Sequence, residues 1–483
     1  VRAYRASVTS EGFFLASRDL GPWVISFSFF STMLSGAAFL SGGGTGFMLG
    51  FSWTACLFLF NVIFAILPWV LVAPRMRKFS EKLKSLTIPD YLAYRFESET
   101  VRFVAAGVIL VFLTFNITAL YKAGGNLLQT TLHVPYLVGI LITILPVLIY
   151  VVVGGFRAVA VVDFFQGILM LVAGAIIFGA VMYSVGGWDA GIAAIAATTL
   201  PDGTPGTALL EFGGYGPKPA MEAGLVAVFT LSLAFALTAA NLGLPQLVVR
   251  FYAVKDRRAI KRGMIIAPII VALFVFLVYT VGPFAWAILP KYVEQGALVQ
   301  YLKDPDLVVP MLIKSIVPVG LSAVMWVGII AANQSTLNSA VHVLGSSFGR
   351  DILQRIRPGI SDRNLVTGSR WATFAFGVIP MLLAINPPGY IAQIVGFAFS
   401  VIAAAFTGPV LIGLYWRGAT KAGATWSMIL AAVTCVVWQY TLYKETWLYP
   451  VVPGLIVGIL AFVIISLLTA KPSQQVRDMV KTG

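Results

Sequence analysis

The sequence predicts an all-α protein that crosses a membrane many times. Hydrophobic residues make up 59% of the 483 residues and charged residues only 11%, whereas soluble globular proteins carry roughly 25% charged residues. The hydrophobic residues fall in long blocks, and many blocks reach the roughly 20 residues that a helix needs to cross a bilayer. Most charged residues lie between these blocks. This composition excludes a soluble enzyme.

The charge and the chemical motifs exclude several other classes. The formal net charge is +14, but the basic residues lie in the loops between apolar blocks and do not form the shared face that nucleic-acid binding requires. The two cysteines and two histidines have no metal-ligand spacing. Phosphate loops, nucleotide motifs and catalytic triad patterns are missing from the sequence. We expect no nucleic-acid partner and no enzymatic activity.

Apolar blocks bounded by charges or by Gly/Pro clusters predict twelve spans. They cover residues 22–46, 47–74, 103–128, 134–153, 158–185, 222–248, 263–289, 307–346, 369–386, 388–416, 422–442 and 447–470. The eighth block is too long for one crossing, so we expect an amphipathic segment at about 306–316 before its span. Most Lys and Arg residues fall in alternate loops, which predicts that these loops and the C-terminus are cytoplasmic.

Two spans, the first and the sixth, contain helix breaks. Ser35 and Gly36 lie in the middle of the first, and the segment 239–245 of the sixth includes Gly243 and Pro245. Proline removes a backbone donor and glycine weakens a helix, so these breaks must face protein or a water-filled cavity. Broken helices five spans apart predict two inverted five-helix repeats around a central site.

The domain organisation follows from these repeats. We expect a cytoplasmic N-terminal loop at 1–20, a first repeat at 21–185, an extracellular loop at 186–221, a second repeat at 222–416, two peripheral helices at 417–470 and a cytoplasmic tail at 471–483. Residues 1–20 are polar and resemble a loop more than a cleavable signal. We therefore expect a further helix ahead of residue 1.

Two polar features lie inside apolar spans. Asp163 lies roughly 10 Å into the fifth span, and an intramembrane carboxylate usually faces an ion, proton or substrate path. The alternatives are an ion pair with Arg157 and a carboxylate near the helix end in interfacial water. In the eighth span, Ala332, Ser335, Thr336 and Ser339 share one helix face. Neutral oxygens suit a hard monovalent cation, although hydrogen bonding between packed helices would use the same residues.

Lys122 lies near the outer end of the third span. It could attract an anionic substrate. Alternatively, its long side chain could extend to water at the membrane interface, as lysine side chains near the ends of spans commonly do. The sequence leaves both interpretations of Lys122 open.

Four motifs carry a resemblance to a known family. They are SRDLGP at 17–22, GGFRAVAVVDFFQG at 154–167, GLPQLVVRFYAVKD at 243–256 and AANQSTLNS at 331–339. In order and spacing they resemble the sodium/solute symporters, and they are most similar to the pantothenate and monocarboxylate branch. The resemblance implies a leucine-transporter-type 5+5 inverted repeat with two additional C-terminal helices. It also implies sodium-coupled uptake.

The resemblance also implies the residues of the ion and substrate sites. The sodium site would consist of backbone oxygens of Ser31, Leu34 and Ala332 and the hydroxyls of Ser335 and Thr336. A second sodium or proton site would consist of Asp163, Asn338 and Ser339. The implied substrate residues are Met33, Gly36, Ala37, Asn241, Gln246 and Lys122. The proline permeases of the family differ at Met33, Asn241 and Gln246, which disfavours proline as the substrate.

These observations predict a multi-pass symporter of the cell membrane that imports a small organic solute together with Na+. A carboxylate such as pantothenate or a monocarboxylate is the leading candidate. Proton coupling through Asp163 is one alternative, and sodium-coupled import of an amino acid or a sugar is another. A passive channel is disfavoured because the polar residues cluster at mid-depth and do not form a continuous stripe.

Overall fold

The computed structural model describes residues 7–216 and 223–482, which form a helical bundle. Within these two ranges, ten helical stretches are long and apolar enough to cross a membrane. Two of the stretches, Ala38–Leu83 and Tyr136–Val185, are divided by a glycine with positive φ, at Gly50 and Gly155. Division at Gly155 makes two spans of Tyr136–Val185. Division at Gly50 assigns the first part of Ala38–Leu83 to the first span, together with Pro22–Met33, and the rest to the second span. The described ranges then contain the twelve predicted spans.

The α-helices are numbered in chain order. They are α1 (Ser10–Leu15), α2 (Pro22–Met33), α3 (Gly43–Leu67), α4 (Ala73–Leu83), α5 (Ile88–Phe96), α6 (Glu99–Leu132), α7 (Tyr136–Val185), α8 (Trp188–Ala196), α9 (Ala223–Ala239), α10 (Pro245–Ala253), α11 (Arg257–Tyr279), α12 (Val281–Ile288), α13 (Gln295–Lys303), α14 (Val308–Ile316), α15 (Val319–Ser347), α16 (Gln354–Ile356), α17 (Asp362–Ala384), α18 (Ile391–Phe406), α19 (Lys421–Thr441), α20 (Tyr443–Thr446), α21 (Val451–Leu468) and α22 (Gln474–Thr482).

The turn at Gly155 allows α7 to cross the membrane twice. A straight helix of its 50 residues would be about 75 Å long, more than twice the thickness of the hydrocarbon core. Gly155 has φ 58° and ψ −158°, a conformation open mainly to glycine. A Cβ atom at this position would lie 2.7 Å from the carbonyl oxygen of Phe13 in α1. Both backbone conformation and packing therefore require glycine here.

Both predicted helix breaks are confirmed. Helix α2 ends at Met33, Leu34 is extended with φ −116° and ψ 107°, and a π-helical turn at Ala38–Gly42 leads into α3. Helix α9 ends at Ala239, a 3-10 turn follows at Ala240–Leu242, and α10 begins at Pro245. A proline in the first turn of a helix removes no helical hydrogen bond, so α10 can start at that residue.

The central helices place the polar face of α15 beside the first break. The predicted amphipathic segment before the eighth span is confirmed as the separate helix α14. Helix α15 then packs against α7 and α2. Its residues 331–347 are buried apart from Gln334. The predicted boundary between the extracellular loop and the second repeat, at residues 221 and 222, lies outside the described residues.

Candidate functional site

The end of α2 and the polar face of α15 form a cluster of neutral oxygens. The hydroxyl of Ser335 lies 2.6 Å from the carbonyl oxygen of Ser31 and 2.9 Å from that of Ala332. The hydroxyl of Thr336 lies 3.1 Å from the carbonyl oxygen of Thr32. All five residues are buried. We call Ser31, Thr32, Ala332, Ser335 and Thr336 the oxygen cluster.

The end of α2 explains why these carbonyls are available. The last carbonyl groups of a helix have no partner within the helix. The backbone N–H of Leu34 closes the last regular turn by donating to Phe30, so the next two carbonyls, of Ser31 and Thr32, accept hydrogen bonds from the hydroxyls of α15. The break therefore turns the end of α2 into a source of oxygen ligands.

A cavity of about 60 Å³ lies beside the oxygen cluster. The predicted substrate residues Met33 and Ala37 line it, as do Leu34 and two members of the oxygen cluster, Thr32 and Thr336. No charged side chain of the described residues lines this cavity. The cavity and the oxygen cluster therefore share a wall, to which Leu34 contributes at the break.

The cavity wall also includes polar residues that the sequence did not indicate. They are Asn61, Asn116, Thr238 and Tyr279. The side-chain amide nitrogen of Asn116 is buried and has no hydrogen-bond partner within the described ranges. An unpaired buried donor is unfavourable unless a ligand or water satisfies it. Asn116 therefore offers an available donor to a molecule in this cavity.

Three other predicted substrate residues do not line the cavity. Gly36 packs so closely on Asn333 that a Cβ atom would lie 2.7 Å from the Cβ atom of Asn333. Asn241 and Gln246 are buried at the second break. Asn241 Oδ1 and both polar atoms of the Gln246 amide lack partners among the described residues.

Lys122 also lies away from the cavity and forms an ion pair. Its Nζ atom is 3.1 Å from Asp306 Oδ2 and 3.1 Å from the carbonyl oxygen of Gly389. The backbone N–H of Ile391 donates to the same carboxylate at 2.9 Å. Burial raises the pKa of the Asp306 carboxyl, and the Lys122 ammonium opposes that rise. Lys122 therefore connects α6 to the segment before α14 and to the start of α18.

Asp163 pairs with Arg250, and not with Arg157 as the sequence-based alternative proposed. Arg250 Nη2 lies 2.6 Å from Asp163 Oδ2, and both side chains are fully buried. Asp163 also accepts hydrogen bonds from Ser28 Oγ at 2.7 Å and from Asn338 Nδ2 at 3.0 Å. The charged pair therefore joins α7 to α10 in the interior of the bundle.

The residues predicted for a second ion site are brought together around this pair. Arg250 Nη2 donates to Ser339 Oγ at 2.8 Å and also to Thr32 Oγ1. Asn338 Nδ2 donates to the other carboxylate oxygen of Asp163. The sequence did not indicate a role for Arg250, because its position before the loop 254–256 placed it among the basic loop residues.

Comparison with known proteins decides the family of the chain. The model of the "Sodium:solute symporter family" matches residues 13–431. The chain belongs to this family. Its relatives include the high-affinity proline transporter PutP of Bacillus subtilis (strain 168), which is 30% identical, with 99% of this chain and 96% of that protein covered. The sodium/pantothenate symporter of Haemophilus influenzae is 25% identical, with 94% of this chain and 89% of that protein covered.

Solved structures confirm the fold of this symporter. A Na+-coupled sialic acid symporter in a substrate-bound outward-open state superposes with a TM-score of 0.78 at 20% identity, covering 98% of this chain and 95% of that chain. The symporter therefore has the predicted leucine-transporter-type 5+5 inverted repeat with two additional C-terminal helices. Because the chain belongs to the sodium:solute symporter family, its function is the movement of a solute together with sodium.

Proposed function

We propose that this symporter imports a small organic carboxylate and that its sodium ion binds at the oxygen cluster between α2 and α15. The observation that carries the proposal is the wall shared between that cluster and the cavity, to which Thr32 and Thr336 contribute. A sodium ion held there would fix the end of α2 against α15. The same contact would shape the substrate cavity, which couples the two binding events.

The chemistry of the oxygen cluster supports sodium over a divalent ion. The carbonyls of Ser31 and Ala332 already converge on one hydroxyl, that of Ser335. Both hydroxyls donate to carbonyls, and rotation of their O–H bonds would direct oxygen lone pairs to an ion. The cluster contains no carboxylate, whereas protein sites for divalent calcium and magnesium usually include carboxylates. A monovalent cation matches this donor set.

The lining of the cavity supports a carboxylate held by neutral groups. Backbone N–H groups at the start of a helix carry partial positive charge, and the helical segment after the first break begins at the cavity wall. The N–H groups of Ala37 and Ala38 donate to Ser35, so the helix start contributes mainly its partial charge. Asn116 adds an unpaired amide donor. These groups can bind a carboxylate without a charged side chain.

A small amino acid such as proline is the second candidate substrate. The lining of the cavity is neutral, which suits a zwitterion that carries no net charge. Proline transporters of Bacillus subtilis at 28% and 30% identity are among the relatives. Met33, one of the positions at which the resemblance sets this chain apart from the proline permeases, disfavours proline.

The same proposal places the protein in the cell membrane as a multi-pass carrier. The basic loops and the C-terminus face the cytoplasm, with the predicted repeats at 21–185 and 222–416 on either side of the extracellular loop at 186–221. An inside-negative potential then contributes roughly 2.3 kcal/mol per charge per 100 mV to inward sodium movement. Sodium entry thereby drives accumulation of the substrate.

Transport assays in proteoliposomes test the proposal. Radiolabelled proline, pantothenate and a short monocarboxylate are supplied outside, with an inward sodium gradient, with potassium in its place, or with an inward proton gradient. We expect uptake of at least one of these carboxylates that depends on the sodium gradient. Uptake driven by the proton gradient and indifferent to sodium would contradict sodium coupling.

A further inference from the structure

Asp163 lies in a second group of oxygen atoms that resembles a cation site. Ser28 Oγ is 2.7 Å from its carboxylate and Thr32 Oγ1 is 3.4 Å from it. Ser339 Oγ lies 3.0 Å from the same threonine hydroxyl. All four side chains are buried. Three hydroxyls and a carboxylate are suitable ligands for a monovalent cation.

A guanidinium group occupies this position. Arg250 Nη2 lies 2.6 Å from Asp163 Oδ2 and 2.8 Å from Ser339 Oγ, and it also donates to Thr32 Oγ1. Arg250 Nε lies 3.0 Å from Ser28 Oγ. The arginine therefore contacts every one of these oxygen ligands and balances the carboxylate charge. A second cation at this position would meet a like charge in a low-dielectric interior.

We propose that Arg250 is a built-in cation, which replaces an exchangeable ion at Asp163 and limits the transporter to one bound sodium ion. The inference rests on the proposed function, because it concerns the number of ions at the site and assumes that sodium binds at the oxygen cluster. The position that the sequence left open for a second sodium ion or a proton is thus filled by the protein itself.

The arrangement also explains how the single sodium site can lie beside a buried arginine. Thr32 belongs to both groups, since its carbonyl accepts from Thr336 while its hydroxyl accepts from Arg250. The arginine charge is matched by Asp163, so the pair presents no net charge to the oxygen cluster. Removal of Arg250 alone leaves the carboxylate with its hydroxyl ligands and without a counter-ion.

Counting bound sodium ions tests the inference without knowledge of the substrate. Radioactive sodium alone is the probe, and equilibrium binding is measured on the purified full chain at saturating sodium. We expect one ion per wild-type protein and two in Arg250→Met, a twofold rise. Arg250→Lys keeps a tethered cation and should bind one ion, as should the double variant Arg250→Met/Asp163→Asn. Arg77→Met, which removes an arginine paired with Glu81 outside the site, is the matched control and should bind one ion.

The outcomes separate this inference from the proposed function. Two sodium ions in the wild type, or one in a folded Arg250→Met protein, would overturn the built-in cation and leave sodium coupling intact. Absence of sodium binding in the wild type would overturn the proposed sodium site and this inference with it. If Arg250→Met does not fold, the wild-type count decides, since one ion supports the inference and two ions refute it.

Discussion

Replacement of Ser335 by alanine should weaken sodium binding, and the variant should remain folded. Its hydroxyl lies 2.6 Å from the Ser31 carbonyl and 2.9 Å from the Ala332 carbonyl, so alanine removes one proposed sodium ligand. The substitution also removes a neutral hydrogen bond from the sodium-free protein. The expected change in affinity is the difference between these two losses.

The magnitude follows from the type of contact. A hydrogen-bond-strength contact to a charged group contributes about 1.5–3 kcal/mol, and a neutral one about 0.5–1.5 kcal/mol. Thr336 Oγ1 lies 3.5 Å from the Ser31 carbonyl and can replace part of the hydrogen bond that the substitution removes when no sodium is bound. The substitution therefore costs the sodium-bound protein roughly 1 kcal/mol more than the sodium-free protein. The sodium dissociation constant should rise roughly fivefold as a result.

Sodium-dependent thermal stability measures this change. Purified wild-type protein and Ser335→Ala are titrated with sodium at constant ionic strength, with potassium as the replacement, because ligand binding to the folded state raises the apparent melting temperature. Ser400→Ala is the matched control, since it removes a buried hydroxyl that bonds the Gly396 carbonyl at 2.6 Å outside the site. An unchanged sodium affinity in Ser335→Ala, or an equal loss in Ser400→Ala, would refute the assignment.

Three further predictions concern the surroundings of the site. Lys122→Met should lower the apparent melting temperature, because loss of one partner of a buried ion pair costs about 3–5 kcal/mol. The double variant Lys122→Met/Asp306→Asn should recover much of this loss, and a double variant with no recovery would contradict the pairing. Gly155→Ala should destabilise the protein by about 1–3 kcal/mol, because its φ and ψ lie in a region open almost only to glycine. Gly179→Ala, which has open space around it, should not destabilise the protein, and equal thermal shifts for the two variants would contradict the turn. Asn116→Leu should raise the substrate KM in uptake assays and leave sodium affinity at the wild-type value, and an unchanged KM would exclude an amide contact.

The sequence predicted the helix breaks because their signals are local. Gly36, Gly243 and Pro245 disfavour a continuous helix regardless of what surrounds them. The separate segment α14 was likewise predictable, because the apolar block 307–346 is too long for one crossing. Such features depend on a few neighbouring residues, so they can be inferred without tertiary structure.

The Asp163–Arg250 pair could not be predicted in this way. The two residues are 87 positions apart, and their contact depends on the packing of α10 and α7 against α2 and on the direction of each side chain. The basic residues after Arg250 indicate a loop, whereas Arg250 belongs to the short helix α10 and is buried inside the bundle. The sequence shows that Asp163 is a carboxylate inside an apolar span, but it does not show which residue Asp163 pairs with.

Lys122 illustrates the same limit for a side chain near the end of a span. The sequence indicates either a substrate contact or extension to water, since both depend on Lys122 alone. The observed partner, Asp306, belongs to the segment before α14, which is far from Lys122 in the sequence and contacts it through this ion pair. A contact between residues so far apart in the sequence cannot be inferred from the residues near Lys122.

Sodium flux that depends on substrate is the direct measure of coupling at the oxygen cluster. Proteoliposomes containing the wild-type protein receive radioactive sodium outside, with and without the carboxylate identified in the uptake assay. We expect sodium entry to rise when the carboxylate is added, and we expect Ser335→Ala to require a higher sodium concentration for the same rise. Carboxylate uptake with no accompanying sodium entry would contradict this coupling.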